Sequence, residues 1–244
     1  MTQDQAMDIL KTGANVFLTG EPGSGKTHTV NRYVAYLREH GIEPALTAST
    51  GIAATHVGGM TIHSWSGIGI MHELNPYNLD RIASNQRIHK RLNKAKVLII
   101  DEISMLDGHM LAMVDAVCRA VRRSSMPFGG LQTVLVGDFF QLPPVTRQGP
   151  INYAFRSSAW DWLRPVVCYL TEQHRQDDQA FLSLLSAIRA DAVDEDHFEL
   201  LRSRVSGRES VPEGIVKLFA HNVDVDRIND AALAKLGGEQ RAYT

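Results

Sequence analysis

The sequence predicts an α/β fold in which a mostly parallel sheet carries helices on both faces. Short apolar, β-prone runs alternate with longer segments of helical periodicity along the 244 residues, an order typical of βαβ units. A glycine-rich loop follows the first run and leads into a helix, which is the arrangement of a phosphate-binding loop. Polar residues follow several other runs, as expected where ligands bind at the carboxyl ends of strands.

The individual elements follow from these runs. Strands are predicted over residues 15–19, 44–48, 97–100, 133–136, 166–170 and 215–219. Helices are predicted over residues 28–39, 109–123, 179–190 and 225–236. In the helix from His109, an apolar stripe at helical spacing indicates core packing rather than a cofactor site. Its members are Leu111, Val114, Val117 and Val121.

Composition is that of a soluble globular protein, with 44% hydrophobic and 21% charged residues and a net charge of −2. The N-terminus lacks the basic start and apolar core of a secretory signal, and no apolar run approaches the length of a membrane span. Cys118 and Cys168 stand far apart without metal-ligand spacing, which predicts reduced thiols. We therefore expect a cytoplasmic protein that is neither secreted nor inserted in a membrane.

The glycine-rich loop reads GEPGSGKT over residues 20–27. Backbone N–H groups in such a loop point at phosphate oxygens, and the following helix N-terminus adds positive potential. Lys26 is expected to reach the β- and γ-phosphates, and the Thr27 hydroxyl to ligate magnesium. The alternative is a plain glycine turn that opens a helix. The predicted nucleotide-binding residues here are Gly20, Glu21, Pro22, Gly23, Ser24, Gly25, Lys26, Thr27 and His28.

Asp101 and Glu102 follow the predicted strand 97–100 directly. Downstream of a phosphate-binding loop, the first such acid is expected to hold magnesium. The second is placed to orient and deprotonate an attacking water. The alternative is a pair of surface acids at a strand end.

Two later strands are also followed by polar residues. GDFFQLPPV occupies residues 137–145, where Gln141 could sense the γ-phosphate and the prolines would stiffen the loop. The alternative is a turn with buried phenylalanines. Arg175, after strand 166–170, could stabilise charge in the transition state, although a lone surface arginine is the ordinary alternative.

Small hydroxyl residues and an aromatic follow the second strand. These segments, TASTG over residues 47–51 and TIHSW over residues 61–65, together contain hydroxyls, an imidazole and a tryptophan. This mixture suits single-stranded nucleic acid, where backbone contacts combine with base stacking. The alternative is a helix N-cap followed by a core tryptophan. The candidate residues are Thr50, Gly51, His63 and Ser64.

Residues 67–95 interrupt the alternation, because turn-forming residues there precede a basic segment that runs from Arg81 to Lys96 without an acid. We expect an insertion that projects from the sheet, although a basic stretch is often only a solvated helix face. A boundary is expected near residues 207–214, where Ser, Gly and Pro cluster. The βα unit after it either packs on the preceding sheet or opens a second domain.

In this order, the motifs resemble the first RecA-like domain of a superfamily 1B DNA helicase of the PIF family. The resemblance extends from about Gln5 to about Leu236. Its most specific parts are TASTGIAA (47–54), GGMTIHSWSGIG (58–69), DEISML (101–106), PFGGLQ (127–132) and GDFFQLPPV (137–145). The sequence departs from the family in reading EPGSGKT where an Ala-Gly-Thr core is common, and in carrying His174 where an aromatic is common.

The resemblance implies an ATP- and Mg²⁺-dependent motor that moves 5′-to-3′ on single-stranded DNA and acts at duplex or fork junctions. It implies that Gln5 reads adenine, that Lys26, Glu102, Gln141 and Arg175 are catalytic, and that Thr27 and Asp101 hold the metal. The residues expected along the DNA are Thr50, Gly51, His63 and Ser64. The expected location is therefore the cytoplasm, or the nucleoid or nucleus where the protein is bound to DNA.

The resemblance also implies a domain division. Residues 1–210 correspond to the first RecA-like domain, with a small wedge-like insertion at about 67–95, and residues 211–244 correspond to the opening βα segment of a second RecA-like domain. The expected protein is therefore the N-terminal fragment of a monomeric helicase that lacks the rest of its second domain. The alternative is a one-lobe module that binds nucleotide or DNA as a regulator without efficient turnover.

Overall fold

A computed structural model describes residues 1–146, 149–172, 178–205, 215–236 and 238. The chain divides into two compact units, Met1–Leu182 and Ser183–Thr244. No helix among the described residues is both long enough and apolar enough to cross a bilayer. The proposed functional residues that the structure describes all lie in the first unit.

The first unit is built on a six-stranded, all-parallel sheet with the order β3-β2-β4-β5-β1-β6. The α/β prediction is confirmed, and five of the six predicted strands lie within one residue of their expected ends. β3 was not predicted, because two residues are too few to show a periodic pattern. The strands are β1 Val16–Gly20, β2 Ala45–Ala48, β3 Met60–Thr61, β4 Val97–Asp101, β5 Gln132–Val136 and β6 Val166–Leu170.

Helices follow the strands in the order expected of parallel crossovers. In the first unit they are α1 Gln3–Lys11, α2 Lys26–Glu39, α3 Gly51–His56, α4 Ile62–Ser66, α5 Pro76–Ala83, α6 Gln86–Lys94, α7 Gly108–Arg122 and α8 Ser158–Leu163. α9 Gln179–Ala190 spans the division between the units, and the second unit contains α10 Glu195–Ser203 and α11 Asn222–Leu233.

Alternating residues of the central strands enter two different cores. On β4, Leu98 and Ile100 pack in a cluster with α7, whereas Val97 and Ile99 pack in a second cluster with α1 and α2. This separation follows from the two-residue period of a strand, which sends successive side chains to opposite faces. Both faces of the sheet are therefore covered by helices, as the sequence predicted.

Residues 67–95 form α5 and α6, and these helices pack on α7 instead of projecting freely. Ile82 and Leu92 are buried in the same core as the α7 stripe. Arg122 of α7 donates from Nη1 to the carbonyl oxygens of Leu92 and Ala95, at 2.8 and 3.1 Å. Two buried apolar residues thus anchor a short helix pair whose composition is otherwise polar, and the wedge-like role of this insertion stays a prediction.

The predicted strand at residues 215–219 is absent, and these residues are irregular and exposed. A strand needs a hydrogen-bonding neighbour, and apolar composition alone does not supply one. The helix predicted over 225–236 is present as α11 but begins and ends three residues earlier.

A buried carboxylate fixes the loop after α7, and its removal should destabilise the fold. Asp115 accepts hydrogen bonds from the backbone N–H of Phe128 at 2.7 Å and from Nε of Arg119 at 2.9 Å. Asp115→Ala should lower the free energy of unfolding by about 2–4 kcal/mol, because both donors lose their partner. Urea denaturation measures this quantity.

Asp8→Ala is the matched control, since the Asp8 carboxylate is exposed and lies 3.8 Å from the Lys11 ammonium. An exposed pair of this kind contributes about 0–1 kcal/mol. Equal losses in the two variants would contradict the structural role given to Asp115.

Candidate nucleotide and nucleic-acid sites

The glycine-rich loop joins β1 to α2 in the conformation expected of a phosphate cradle. Gly25 has φ +87° and is the N-cap of α2. Nζ of Lys26 donates to the carbonyl oxygens of Gly20 and Glu21, at 2.8 and 3.1 Å. Ser24 is buried, and its hydroxyl has no hydrogen-bond partner among the described residues. A bound anion would give this unsatisfied group a partner.

The N-terminal helix reaches the same loop through a residue that the sequence analysis missed. A Cβ added at Gly25 would collide with the side-chain amide of Gln3. Gln5, the predicted adenine-reading residue, instead uses its side-chain oxygen to accept from the backbone N–H of Thr2, which closes a capping box. The role of Gln5 stays a prediction. Only the tertiary placement of α1 could have indicated Gln3.

Asp101 and Glu102 lie at the carboxyl end of β4, facing the loop. Burial raises the pKa of the Asp101 carboxyl, although the backbone N–H of Glu102 and the nearby Lys26 ammonium act in the opposite direction. Burial also raises the pKa of Glu102, with the Asp101 charge as the next cause. Glu102 has φ +53°, a left-handed conformation that is costly for a residue with a side chain and is found at functional sites.

Asp138 is a second functional candidate that the sequence analysis missed. It is buried at the end of β5 and accepts from the backbone N–H of Phe140 at 3.1 Å. Its other carboxylate oxygen accepts from the side-chain amide of Gln141 at 3.3 Å. A signal was available, because Asp138 stands just past a strand end, much as Asp101 does.

These groups line one cleft of about 560 Å³ at the carboxyl edge of the sheet. The cleft brings together Lys26, Thr27, Asp101, Glu102 and Gln141, which the sequence analysis placed there from three separate segments. Arg175 lies outside the described residues. The lining residues are Pro22, Gly23, Gly25, Lys26, Thr27, His28, Asp101, Glu102, Gly137, Asp138 and Gln141.

A second cleft of about 770 Å³ collects three of the four predicted DNA-contacting residues: Thr50, His63 and Ser64. Gly51 begins α3 directly after Thr50. Burial lowers the pKa of the His63 imidazole, which favours its neutral form. The alternative reading of this segment is also correct in part, because Thr61 caps α4 through a bond from the Ser64 N–H, and Trp65 is a core residue.

Apolar side chains also line this second cleft, and the sequence analysis did not predict them. Ile70 is 95% exposed and Val145 is 89% exposed, and both line the cleft, as do Met105 and Met110. Exposed apolar side chains next to hydroxyl and imidazole donors suit an unpaired base and its phosphate. Their scattered positions in the sequence gave no pattern to detect.

One loop contributes to both clefts. Asp138 and Gln141 line the first cleft, and Pro144 and Val145 line the second. Phe139 anchors this loop, because the centroid of its ring lies 5.4 Å from that of Phe17 and 5.8 Å from that of Trp160.

A model of the PIF1-like helicase family matches residues 3–196. The chain belongs to this family. The ATP-dependent DNA helicase Pif1 of Psychrobacter sp. is 47% identical over 254 residues, which cover 100% of this chain and 38% of that protein. The human ATP-dependent DNA helicase PIF1 is 36% identical, with 96% of this chain and 36% of that protein covered.

Solved structures of PIF1-like helicases have the same fold. The Pif1 helicase from Candida albicans superimposes with a TM-score of 0.87 at 36% identity, over 97% of this chain and 55% of that one. The Bacteroides Pif1 in complex with ADP-AlF3 and ssDNA gives a TM-score of 0.81 at 30% identity, over 97% of this chain and 57% of that one. The chain thus spans under two fifths of these two curated relatives and somewhat over half of the two solved chains.

The close approach of the Gln3 side chain to Gly25 predicts that a larger residue at position 25 weakens nucleotide binding. Gly25→Ala should lower nucleotide affinity about tenfold or more, because the methyl pushes the Gln3 side-chain amide away and strains the left-handed backbone at the N-cap of α2, where N–H groups would face a phosphate. Isothermal titration with an ATP analogue measures the affinity.

Gly41→Ala separates this effect from backbone strain alone. Gly41 has a similar φ of +70°, but nothing lies within 4 Å of an added Cβ. Both variants should lose about 1–2 kcal/mol of stability through the left-handed conformation. An equal loss of nucleotide affinity in both would contradict a specific role for the Gly25 position.

Proposed function

We propose that this chain forms the N-terminal motor part of an ATP-dependent 5′-to-3′ DNA helicase that translocates on single-stranded DNA. The observation that carries the proposal is the loop of residues 137–145, which lines both the phosphate-binding cleft and the cleft that holds Thr50, His63 and Ser64. A change at the γ-phosphate that moves Gln141 would therefore also move Pro144 and Val145. Such a loop provides a short mechanical link between hydrolysis and DNA movement.

In the proposed mechanism, backbone N–H groups of the loop and Lys26 bind the phosphates, and Lys26 gives up its carbonyl partners to do so. Thr27 and Asp101 would hold Mg²⁺, which supplies charge neutralisation at the phosphates. The fit is supported by the Asp101 carboxylate, which is half-buried at the end of β4 and whose charged form a cation would stabilise. Glu102 accepts the proton of the attacking water, and Gln141 responds to the γ-phosphate.

The finer assignments extend this proposal to the partners. Gln5 reads adenine, Arg175 contacts the γ-phosphate, and Gly51 lies with Thr50 along the DNA backbone. Residues 1–210 form the first RecA-like domain with a wedge-like insertion at about 67–95, and residues 211–244 open a second such domain. The motor acts as a monomer at duplex or fork junctions, in the nucleoid or nucleus.

A one-lobe regulatory module is the second candidate, and the exposure of apolar residues near the end of the chain argues against it. Val216, Leu218 and Val223 are 86%, 93% and 78% exposed. A self-contained module would be expected to cover such residues, because contiguous exposed apolar surface marks a contact site. The module predicts ATP binding without any turnover, whereas the motor predicts turnover once a second lobe completes the cleft.

Lys26→Ala and Glu102→Gln should separate binding from chemistry. The first should lower ATP affinity about tenfold or more, since a charged hydrogen bond to phosphate is lost. The second should leave affinity nearly unchanged and lower DNA-stimulated turnover by about 10²–10⁴-fold in a protein that contains both lobes. Fluorescent-nucleotide binding and phosphate release measure the two quantities.

Lys96→Ala and Glu73→Gln are the matched controls, because both side chains are exposed and neither lines the cleft. Wild-type turnover by Glu102→Gln would show that another group is the base. Unchanged ATP affinity in Lys26→Ala would remove the phosphate-binding role of the loop.

His63→Ala should weaken single-stranded DNA binding by about 1 kcal/mol or more, because one side of the second cleft loses a ring that can contact a base. ATP affinity should stay constant. His40→Ala is the control, since His40 is an exposed residue at the end of α2 and does not line this cleft. Fluorescence anisotropy with a labelled oligothymidylate measures binding. Equal affinities in the two variants would contradict the placement of His63 along the DNA.

A further inference from the structure

A third concave site lies away from both clefts, between α6 and the amino-terminal end of β2. It encloses about 500 Å³, which is within the range of about 300–1,000 Å³ typical of ligand pockets. Its floor is apolar and includes Ala45, Leu46, Met60 and Trp65. We call it the α6 groove.

The rim of the α6 groove carries a row of cations. Arg87, Lys90, Arg91 and Lys94 all line it, and their spacing of three, four and seven residues from the first places them on one face of α6. Like charges at these spacings destabilise a helix. The net charge of the whole chain is −2, so this concentration of positive charge is local.

None of these four cations has an acidic partner within ion-pair distance in the part of the chain that the structure describes. The Lys94 charge acts at longer range on Glu43 and helps to lower the pKa of that carboxyl. The Arg91 guanidinium donates instead to the carbonyl oxygens of Ser64 and Trp65. The single acid on the rim, Glu43, is bonded to Arg38 at 2.8 Å.

We propose that the α6 groove binds a short acidic peptide segment of a partner protein, which inserts one apolar side chain into the floor and pairs its carboxylates with Arg87 and Lys90. The floor favours a peptide over a nucleic acid. A nucleobase placed there would leave its polar edge without hydrogen-bond partners, which is unfavourable, whereas an aromatic or aliphatic side chain has no such groups.

The position of the groove allows the peptide and the nucleotide to bind together. Ala45 and Leu46 begin β2, whereas the phosphate cleft lies at the carboxyl ends of β1, β4 and β5. The proposal is therefore independent of the proposed motor function. Peptide binding in the α6 groove would determine which partner proteins associate with the chain.

The test uses a fluorescein-labelled synthetic peptide of about ten residues, a length typical of grooves that take a linear segment. It consists of Asp and Glu with one central Phe. Fluorescence anisotropy with the full chain should show saturable binding that weakens with added salt, as expected of a charged rim. The same peptide with Ser in place of Phe should bind about tenfold or more weakly, because the floor contact is lost.

The variant Arg87→Glu/Lys90→Glu should lower peptide affinity about tenfold or more through charge reversal. Arg81→Glu/Lys96→Glu makes the same change in net charge at exposed residues of the same segment outside the groove, and should keep wild-type affinity. Circular dichroism should show the same helix content in both variants, and ATP-analogue affinity should match the wild type.

Three results would overturn the proposal. Equal peptide affinity in both charge-reversed variants would show that only net charge matters. Equal affinity of the Phe and Ser peptides would show that the floor is not used. Unchanged peptide binding, together with a loss of duplex DNA binding confined to Arg87→Glu/Lys90→Glu, would assign the groove to nucleic acid instead.

Discussion

Parallel strand register is the constraint on which both clefts depend. Gly20 of β1 pairs with Leu170 of β6, Leu18 pairs with Val136 of β5, and Ala48 of β2 pairs with Asp101 of β4. Since neighbouring strands end level with one another, residues more than a hundred positions apart emerge at one edge. A slip of one residue in β4 would turn the Asp101 side chain to the opposite face of the sheet.

The long helix α7 connects the sheet to the segments packed outside it in the first unit. Its buried Asp115 holds the backbone at Phe128, and its Arg122 donates to the carbonyl of Gly129 at 2.7 Å as well as to the end of α6. The segment between β4 and β5 is therefore structural at its centre. It fixes the insertion on one side and the start of β5 on the other, and so determines where the two clefts lie relative to α6.

The sequence predicted those parts of the site that depend on contiguous residues. The loop of residues 20–27 and the Asp101–Glu102 pair were found because local spacing encodes their geometry. Gln3 was missed because it acts through a tertiary contact with Gly25. Asp138 was missed although its signal is local, since it stands just past a strand end and bonds to Gln141 three residues later. Residues 215–219 were mistaken for a strand because their apolar, β-prone composition is a local property. A strand also needs a neighbouring strand to hydrogen-bond with, and composition does not reveal that neighbour.

The hydrogen bonds of Lys26 tie the glycine-rich loop to itself. Its ammonium donates to the carbonyl oxygens of Gly20 and Glu21, the first two residues of the loop, and so joins the start of the loop to the first turn of α2. In the proposed function, binding of a phosphate by Lys26 requires these two bonds to be exchanged for bonds to phosphate oxygens. The free energy of nucleotide binding is then the difference between two sets of hydrogen bonds and is smaller than the new contacts alone would give.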